Sequence, residues 1–187
     1  MKKMNLKKEM LLAMFVALGV IISPILRVEG CCPMQHFINV TCAVILGPGY
    51  AVLCAVLIGL IRMMLMGIPP LALTGAVFGA GLSGLFYRWS KQKLIAAVLG
   101  EVIGTGIIGA VVSYPVMAGL MGRTGLTWLF YVPSFLLGTV IGGTIAFFFL
   151  GALRRAGLLE TFKSQLNSQT AGVYTGGKAD GKNKQSI

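Results

Sequence analysis

Long apolar runs separated by short polar interruptions dominate the chain. The runs cover residues 10–26, 37–61, 71–87, 94–121 and 126–153, and they are almost free of charged side chains. A helix needs about 20 apolar residues to cross the hydrocarbon core of a bilayer. The pattern therefore predicts an all-α membrane protein, and a direct count of the runs gives five spans.

Basic residues beside the runs change that count. They form three clusters, Lys2/Lys3/Lys7/Lys8, Arg88/Lys91/Lys93 and Arg154/Arg155/Lys163. Cytoplasmic loops are enriched in Lys and Arg, so all three clusters are expected on the cytoplasmic side. An even number of crossings must then separate the first cluster from the second. The run over residues 37–61 must therefore belong to two segments.

A turn signal marks where this run divides. Gly47-Pro48-Gly49-Tyr50 interrupts it, and proline removes a helix donor while glycine adopts turn geometry. We predict segments over residues 33–46 and 49–66. The first is either a short tilted span, which we favour, or a re-entrant helix buried in protein. The chain then has six transmembrane helices with both ends in the cytoplasm.

Three regions follow from this topology. Residues 1–9 form a basic cytoplasmic N-terminus, and residues 10–157 form the six-helix transmembrane domain. Residues 158–187 form a cytoplasmic tail, which from about residue 168 is rich in Gly, Ser, Lys, Asn and Gln. Such a composition has almost nothing to bury, so the tail is expected to be largely disordered.

Composition agrees with a multi-pass membrane protein embedded in lipid, and a bacterial plasma membrane is the expected location. Hydrophobic residues make up 56% of the 187 residues and charged residues 11%, whereas soluble domains carry about 25% charge. The net charge of +11 lies beside span ends and in the tail, which indicates membrane orientation and no nucleic-acid partner. Cys31 and Cys32 are adjacent, and one histidine cannot complete a usual zinc site, so no metal or cofactor is predicted.

Small residues recur at a spacing of four. Gly-x-x-x-Gly pairs occur at Gly75/Gly79, Gly100/Gly104 and Gly138/Gly142. Small residues let helix backbones approach closely in lipid, so we predict intramolecular packing at these pairs. Ala13 and Ala17 have the same spacing in the first helix, where either internal packing or a partner surface would account for them.

Polar side chains inside apolar runs are the candidates for function, because such groups are costly in lipid. They are Gln35, His36, Asn39, Arg62, Glu101, Tyr114, Tyr131 and Ser134. The predicted topology places all of them in the outer half of the membrane except Glu101, which enters from the cytoplasmic side. We expect a pocket open to the exterior, apolar with a few polar groups, as is usual for small ligands.

Each candidate also has a structural interpretation. His36 either caps its helix or contacts a ligand, and Asn39 either bonds a neighbouring helix or contacts a ligand. Arg62 is expected to snorkel outward or to pair with Glu29. Glu101 either packs or gates, or it contacts the ligand. Tyr114 and Tyr131 are either interfacial anchors or stacking groups.

Enzyme motifs do not occur in the sequence. There is no Gly-x-Ser-x-Gly elbow, no His-Glu-x-x-His pair and no phosphate-binding Gly-Lys-Ser/Thr loop. No catalytic residues are therefore assigned. An ATP-driven role would need a partner subunit.

Four stretches carry a family resemblance. They are residues 13–19 (Ala-Met-Phe-Val-Ala-Leu-Gly), 33–40 (Pro-Met-Gln-His-Phe-Ile-Asn-Val), 46–51 (Leu-Gly-Pro-Gly-Tyr-Ala) and 100–109 (Gly-Glu-Val-Ile-Gly-Thr-Gly-Ile-Ile-Gly). With them the chain resembles the S-components of energy-coupling factor (ECF) transporters, most closely the thiazole-uptake (ThiW-type) proteins. The resemblance extends over about residues 8–157.

The resemblance implies a six-helix bundle that binds hydroxyethylthiazole, the thiamin precursor, near the outer surface. It also implies docking on a transmembrane coupling subunit that works with two ATPases, and Ala13 and Ala17 match the family's docking motif. Gln35, His36, Asn39, Glu101, Tyr114 and Tyr131 are the predicted substrate-binding residues. Other interpretations stay open: an S-component for another vitamin-related molecule, a small secondary carrier, or an intramembrane enzyme.

Overall fold

The computed structural model describes residues 6–25, 31–123 and 125–175, with the backbone alone over 167–175. Lys2, Lys3, Glu29 and residues 176–187, to which predictions were attached, lie outside the described residues. The described chain forms seven helices: α1 Leu6–Ile22, α2 Pro33–Leu46, α3 Pro48–Met66, α4 Leu71–Trp89, α5 Leu94–Met121, α6 Val132–Arg155 and α7 Leu158–Thr175.

The long second run is divided as predicted. Helix α2 ends at Leu46 and α3 begins at Pro48. Gly47 joins them with φ +92°, a backbone conformation that glycine adopts without a side-chain penalty. Pro48 suits the first helical position, because the donor it lacks would have no partner there.

Helix α2 lies at the centre of the bundle. It contacts each of the other six helices, and 11 of its 14 residues are buried. Its polar side chains therefore face protein and must find hydrogen-bond partners there.

The second and third basic clusters lie at one end of the bundle. Arg154 donates to the carbonyl of Gln92 at 3.3 Å, and Lys163 donates to the Gln92 side chain at 3.2 Å. Lys163 also donates to the hydroxyl of Tyr87 at 2.6 Å. The α4–α5 loop and the α6–α7 junction therefore lie at the same end of the bundle.

Three helices, α3, α5 and α6, are long and apolar enough to cross a membrane. Helix α2 is apolar but has only 14 residues. The chain thus has the character of a membrane protein over its described residues.

Helix α5 changes its winding in the middle. It is α-helical over Leu94–Glu101, π-helical over Val102–Gly109 and α-helical again over Ala110–Met121. π-helical turns are rare in proteins, and those that occur often lie at functional sites. Here it begins directly after Glu101.

The Gly-x-x-x-Gly pairs lie at helix–helix contacts, which confirms the packing prediction. A Cβ atom on Gly100 would lie 2.5 Å from the carbonyl oxygen of Leu82, and one on Gly104 would lie 2.6 Å from that of Phe78. Helices α4 and α5 consequently pack backbone to backbone. A Cβ atom on Gly142 would likewise meet the carbonyl oxygen of Pro33 and hold α6 away from α2.

Helix α7 occupies a segment for which the sequence predicted little order. Leu159 and Leu166 are 0% and 7% exposed and pack into the core of the bundle. Residues seven apart share a helix face, so these two leucines dock α7. The composition of the segment concealed this docking, because one apolar residue in every two turns is enough to hold the helix against the bundle.

We predict that Gly100→Ala lowers the melting temperature of the detergent-purified protein. Its Cβ would press on backbone atoms of α4, and overpacking of this kind costs about 1–3 kcal/mol. The matched control is Gly151→Ala on α6, where a Cβ atom has no neighbour within 4 Å. Thermal unfolding of both variants is the measurement, and equal behaviour of the two would contradict the packing argument.

Candidate functional site

A buried carboxylate lies at the centre of the candidate site. Oxygen Oε1 of Glu101 lies 2.9 Å from His36 Nδ1 and accepts from Asn39 Nδ2 at 3.0 Å. Thr105, one turn further along α5, places its hydroxyl 3.1 Å from the same oxygen. Because the carboxylate is the acceptor, Nδ1 of His36 carries the hydrogen. Helices α2 and α5 are thereby joined through one oxygen atom.

Helix α4 closes this centre through its backbone. The carbonyl of Ala76 accepts from Asn39 at 3.2 Å, and that of Gly75 accepts from Thr105 at 3.0 Å. A Cβ atom on Gly79 would lie 2.7 Å from Glu101 Oε2. The carboxylate therefore occupies space that exists only because residue 79 has no side chain.

Two amides continue the network towards the other side of α2. Gln35 donates from Nε2 to the side-chain oxygen of Asn39 at 3.1 Å. Oxygen Oε1 of Gln35 accepts from Ser23 at 2.9 Å and from Arg62 Nη1 at 3.3 Å. Residues from α2, α3 and the end of α1 thus meet at one end of the bundle.

Arg62 differs from the first of its two predictions, and the second, pairing with Glu29, involves a residue outside the described part of the chain. It was expected to snorkel outward or to pair with Glu29, but its side chain is 2% exposed and points into the bundle. It donates to Gln35 and, from Nη2, lies 3.5 Å from Cys32 Sγ. Snorkelling is therefore wrong, because the amide of Gln35 offers the guanidinium an acceptor inside the protein.

The adjacent cysteines Cys31 and Cys32 have different surroundings. Cys32 donates from Sγ to the carbonyl of Ser23 at 3.1 Å and so belongs to the rim of the network. Partial burial, and then the neighbouring Cys32, raises the pKa of the Cys31 thiol. Cys31 is therefore held in its neutral, less reactive form.

Several polar atoms of the network have no hydrogen-bond partner among the described residues. Arg62 Nε and Glu101 Oε2 are buried and unpaired. Gln35 uses one of the two hydrogens on Nε2, and His36 makes its hydrogen bond through Nδ1 alone. Buried polar groups are normally satisfied, so this capacity points to a ligand or solvent at the same place.

Comparison with models of known protein families gives a match over most of the chain. Residues 10–156 match the model of a family described as thiamine-precursor transporter protein (ThiW). The chain belongs to the ThiW family. No curated protein and no solved structure matches the chain.

The ThiW family is a family of thiamine-precursor transporters. A small-molecule substrate and a membrane location follow from that family and from the apolar helices. A transporter family also argues against an enzyme.

Four of the six residues predicted to bind substrate lie in the network, and the two tyrosines do not. Tyr114 is half-buried and packs on Trp128, with ring centroids 4.6 Å apart. Tyr131 is 2% exposed, and its hydroxyl has no hydrogen-bond partner within the described part of the chain. The centroid of its ring lies 6.2 Å from that of Phe135. Phe135 in turn packs on Gly75, so Tyr131 lies behind the network rather than in it.

A second surface involves the two alanines of α1. Ala13 and Ala17 are exposed and line an apolar groove of about 490 Å³ between α1 and α3. Val16, Leu57 and Ile61 form much of the remaining wall. The alanines are therefore a surface feature and do not pack inside the bundle.

Sequence reasoning did not identify two residues of the site, and it named a third, Arg62, in another role. Ser23, Arg62 and Thr105 join the site through hydrogen bonds from the end of α1, from α3 and from α5. Of the two residues that were missed, Thr105 had a usable signal, because it is four residues after Glu101 and therefore shares its helix face.

We predict that Thr105→Val destabilises the protein although the two side chains have the same shape. The substitution removes a hydroxyl whose single hydrogen lies between two buried acceptors, the carboxylate of Glu101 and the carbonyl of Gly75, and such a loss costs about 1–3 kcal/mol. Thr144→Val is the control, because that hydroxyl is exposed and bonds only to its own helix at Val140. Thermal unfolding should show a lower melting temperature for the first variant alone, and a similar drop in both would contradict the role of Thr105.

Proposed function

We propose that the chain is the substrate-binding subunit (S-component) of an ATP-driven ECF importer and that its substrate is hydroxyethylthiazole. Family membership supports transport of a thiamin precursor. The observation that carries the finer proposal is the set of unpaired polar atoms in the network of Gln35, His36, Asn39 and Glu101.

Hydroxyethylthiazole is a small neutral molecule with a ring nitrogen that accepts and a hydroxyl that both donates and accepts. The free hydrogen of Gln35 and the second ring nitrogen of His36 match these two functions. Neutral hydrogen-bonding groups suffice, so the ligand needs no charge of its own. Tyr114 and Tyr131 remain proposed stacking groups, which would require the outer ends of α5 and α6 to adjust around the ligand.

We further propose six crossings with both chain ends in the cytoplasm of a bacterial cell. The support is that Arg154 and Lys163 meet the α4–α5 loop at one end of the bundle. The hydrogen-bond network that includes Arg62 and Cys32 lies near the C-terminal end of α3 and the start of α2, which is the opposite end of the bundle. Basic residues inside would then place the substrate site towards the exterior.

The groove beside Ala13 and Ala17 is the proposed docking surface for the transmembrane coupling subunit, which acts with two ATPases. Small residues on an exposed helix face let a second helix approach closely in lipid. The groove walls are apolar, with Glu9 the charged residue among those that line it. A membrane-embedded helix fits such a surface better than a soluble protein does.

We expect hydroxyethylthiazole to raise the melting temperature of the detergent-purified protein. A ligand at 100 times its dissociation constant stabilises by about 2.7 kcal/mol. The same assay with thiamin, the aminopyrimidine precursor, riboflavin and biotin tests specificity. A shift with one of these and none with the thiazole would overturn the substrate but not the scaffold.

The same ligand assay tests the site residues. His36→Ala and Asn39→Ala should each weaken thiazole affinity at least tenfold, because each removes a group next to the unpaired atoms. Ser83→Ala on α4 is the control, since Ser83 is buried but has no partner in the network. Unchanged affinity in both site variants would exclude this location for the ligand.

We expect the double variant Ala13→Trp/Ala17→Trp to abolish ATP-dependent uptake while thiazole binding persists. The indole rings would fill the groove and keep a partner helix away. Ala152→Trp is the matched control, because Ala152 is an exposed alanine of α6. Uptake in cells, co-purification with the coupling subunit and binding in detergent are the three measurements. Loss of binding together with uptake would instead indicate a folding defect.

A further inference from the structure

Two formally charged side chains are almost completely buried in the described bundle without touching each other. Arg62 is 2% exposed and Glu101 is 0% exposed. Arg62 donates to neutral acceptors, Gln35 Oε1 and Cys32 Sγ, and contacts no carboxylate among the described residues. A buried charge without compensation is strongly unfavourable, so something must offset each of them.

The two charges are the ends of one chain of hydrogen bonds. Arg62 donates to the oxygen of Gln35, whose nitrogen donates to the oxygen of Asn39. The nitrogen of Asn39 then donates to the carboxylate of Glu101. Both amides therefore turn their oxygen towards the cation and their nitrogen towards the anion.

Only this orientation of the two amides is compatible with a guanidinium at one end of the chain of hydrogen bonds and a carboxylate at the other. The guanidinium can only donate and the carboxylate can only accept. Reversing either amide would place two donors or two acceptors against each other. Hydrogen-bonded groups in such a chain also polarise one another, which strengthens each bond in a low-dielectric interior.

We propose that Arg62 is a positioning residue of the substrate site, which offsets the charge of Glu101 across two amides and thereby holds Gln35 and Asn39 in one orientation. With that orientation held, Gln35 presents a free N–H rather than an oxygen. This part of the inference rests on the proposed function, because it concerns which atoms a substrate meets. The charge compensation itself does not depend on any substrate.

The test is a double-mutant cycle in ligand-free protein with Arg62→Met, Glu101→Gln and both together. Arg62→Met leaves the carboxylate uncompensated and should lower the melting temperature or the folded yield markedly. Adding Glu101→Gln removes that charge with little change of shape. The double variant should therefore melt above Arg62→Met alone, because removal of both partners of a buried pair leaves no isolated charge.

Two controls separate compensation from packing. Arg62→Lys keeps the charge and should retain more of the melting temperature than Arg62→Met. The pair Arg62→Met/Thr139→Val should be additive, because Thr139 is buried but bonds only to Leu136 of its own helix. The cycle is also run with His36→Asn, since His36 is an ionisable group in direct contact with Glu101.

A double variant no better than Arg62→Met, in melting temperature or in folded yield and in both His36 backgrounds, would overturn the proposal. Thiazole affinity is then measured in the folded variants, and Glu101→Gln should bind more tightly than Arg62→Met/Glu101→Gln, a comparison in which both proteins lack the carboxylate. Equal affinity of Glu101→Gln and Arg62→Met/Glu101→Gln would overturn positioning of the site by Arg62. Absence of thiazole binding to the natural sequence, with the coupling intact, would reject the proposed substrate and leave the charge compensation standing.

Discussion

The hydrogen bonds to oxygen Oε1 of Glu101 are the interaction on which the rest of the bundle depends. His36 and Asn39 reach it from α2, and Thr105 reaches it from the π-helical part of α5. A carboxylate at 0% exposure is tolerated only when donors surround it. Because Asn39 and Thr105 also bond to carbonyls of α4, the register of three helices is determined at this point.

Close approach of the backbones is what makes that arrangement possible. Glycines on α4 and α5 bring the two helices together, and Gly79 leaves the volume that the carboxylate of Glu101 fills. On the other side of α2, a Cβ atom on Gly138 would lie 3.2 Å from Nε2 of His36, so the missing side chain on α6 leaves room beside the imidazole. Small residues in this chain therefore do more than associate helices, since they create the space in which polar side chains meet.

The sequence predicted the elements better than the contacts. The break at Gly47, the helices around it and the interface positions of the glycine pairs followed from local rules of turn geometry and helix packing. Contact between Glu101 and His36 did not, because the two residues enter from opposite sides of the predicted topology and their meeting depends on how α2 and α5 cross. The helix at Leu158–Thr175 was also missed, since docking by two leucines leaves almost no trace in composition.

Arg62 shows the same limit in electrostatic terms. An arginine near a helix end resembles a snorkelling residue until the acceptor that turns it inward is known, and that acceptor lies 27 positions away at Gln35. Once Arg62 and Glu101 are both inside, their charges sum to zero when His36 is neutral. A cationic ligand would disturb that balance, whereas a neutral one would not. On the proposed function, this favours the neutral thiazole precursor over thiamin itself, whose thiazolium ring carries a positive charge, as the molecule that the site accepts.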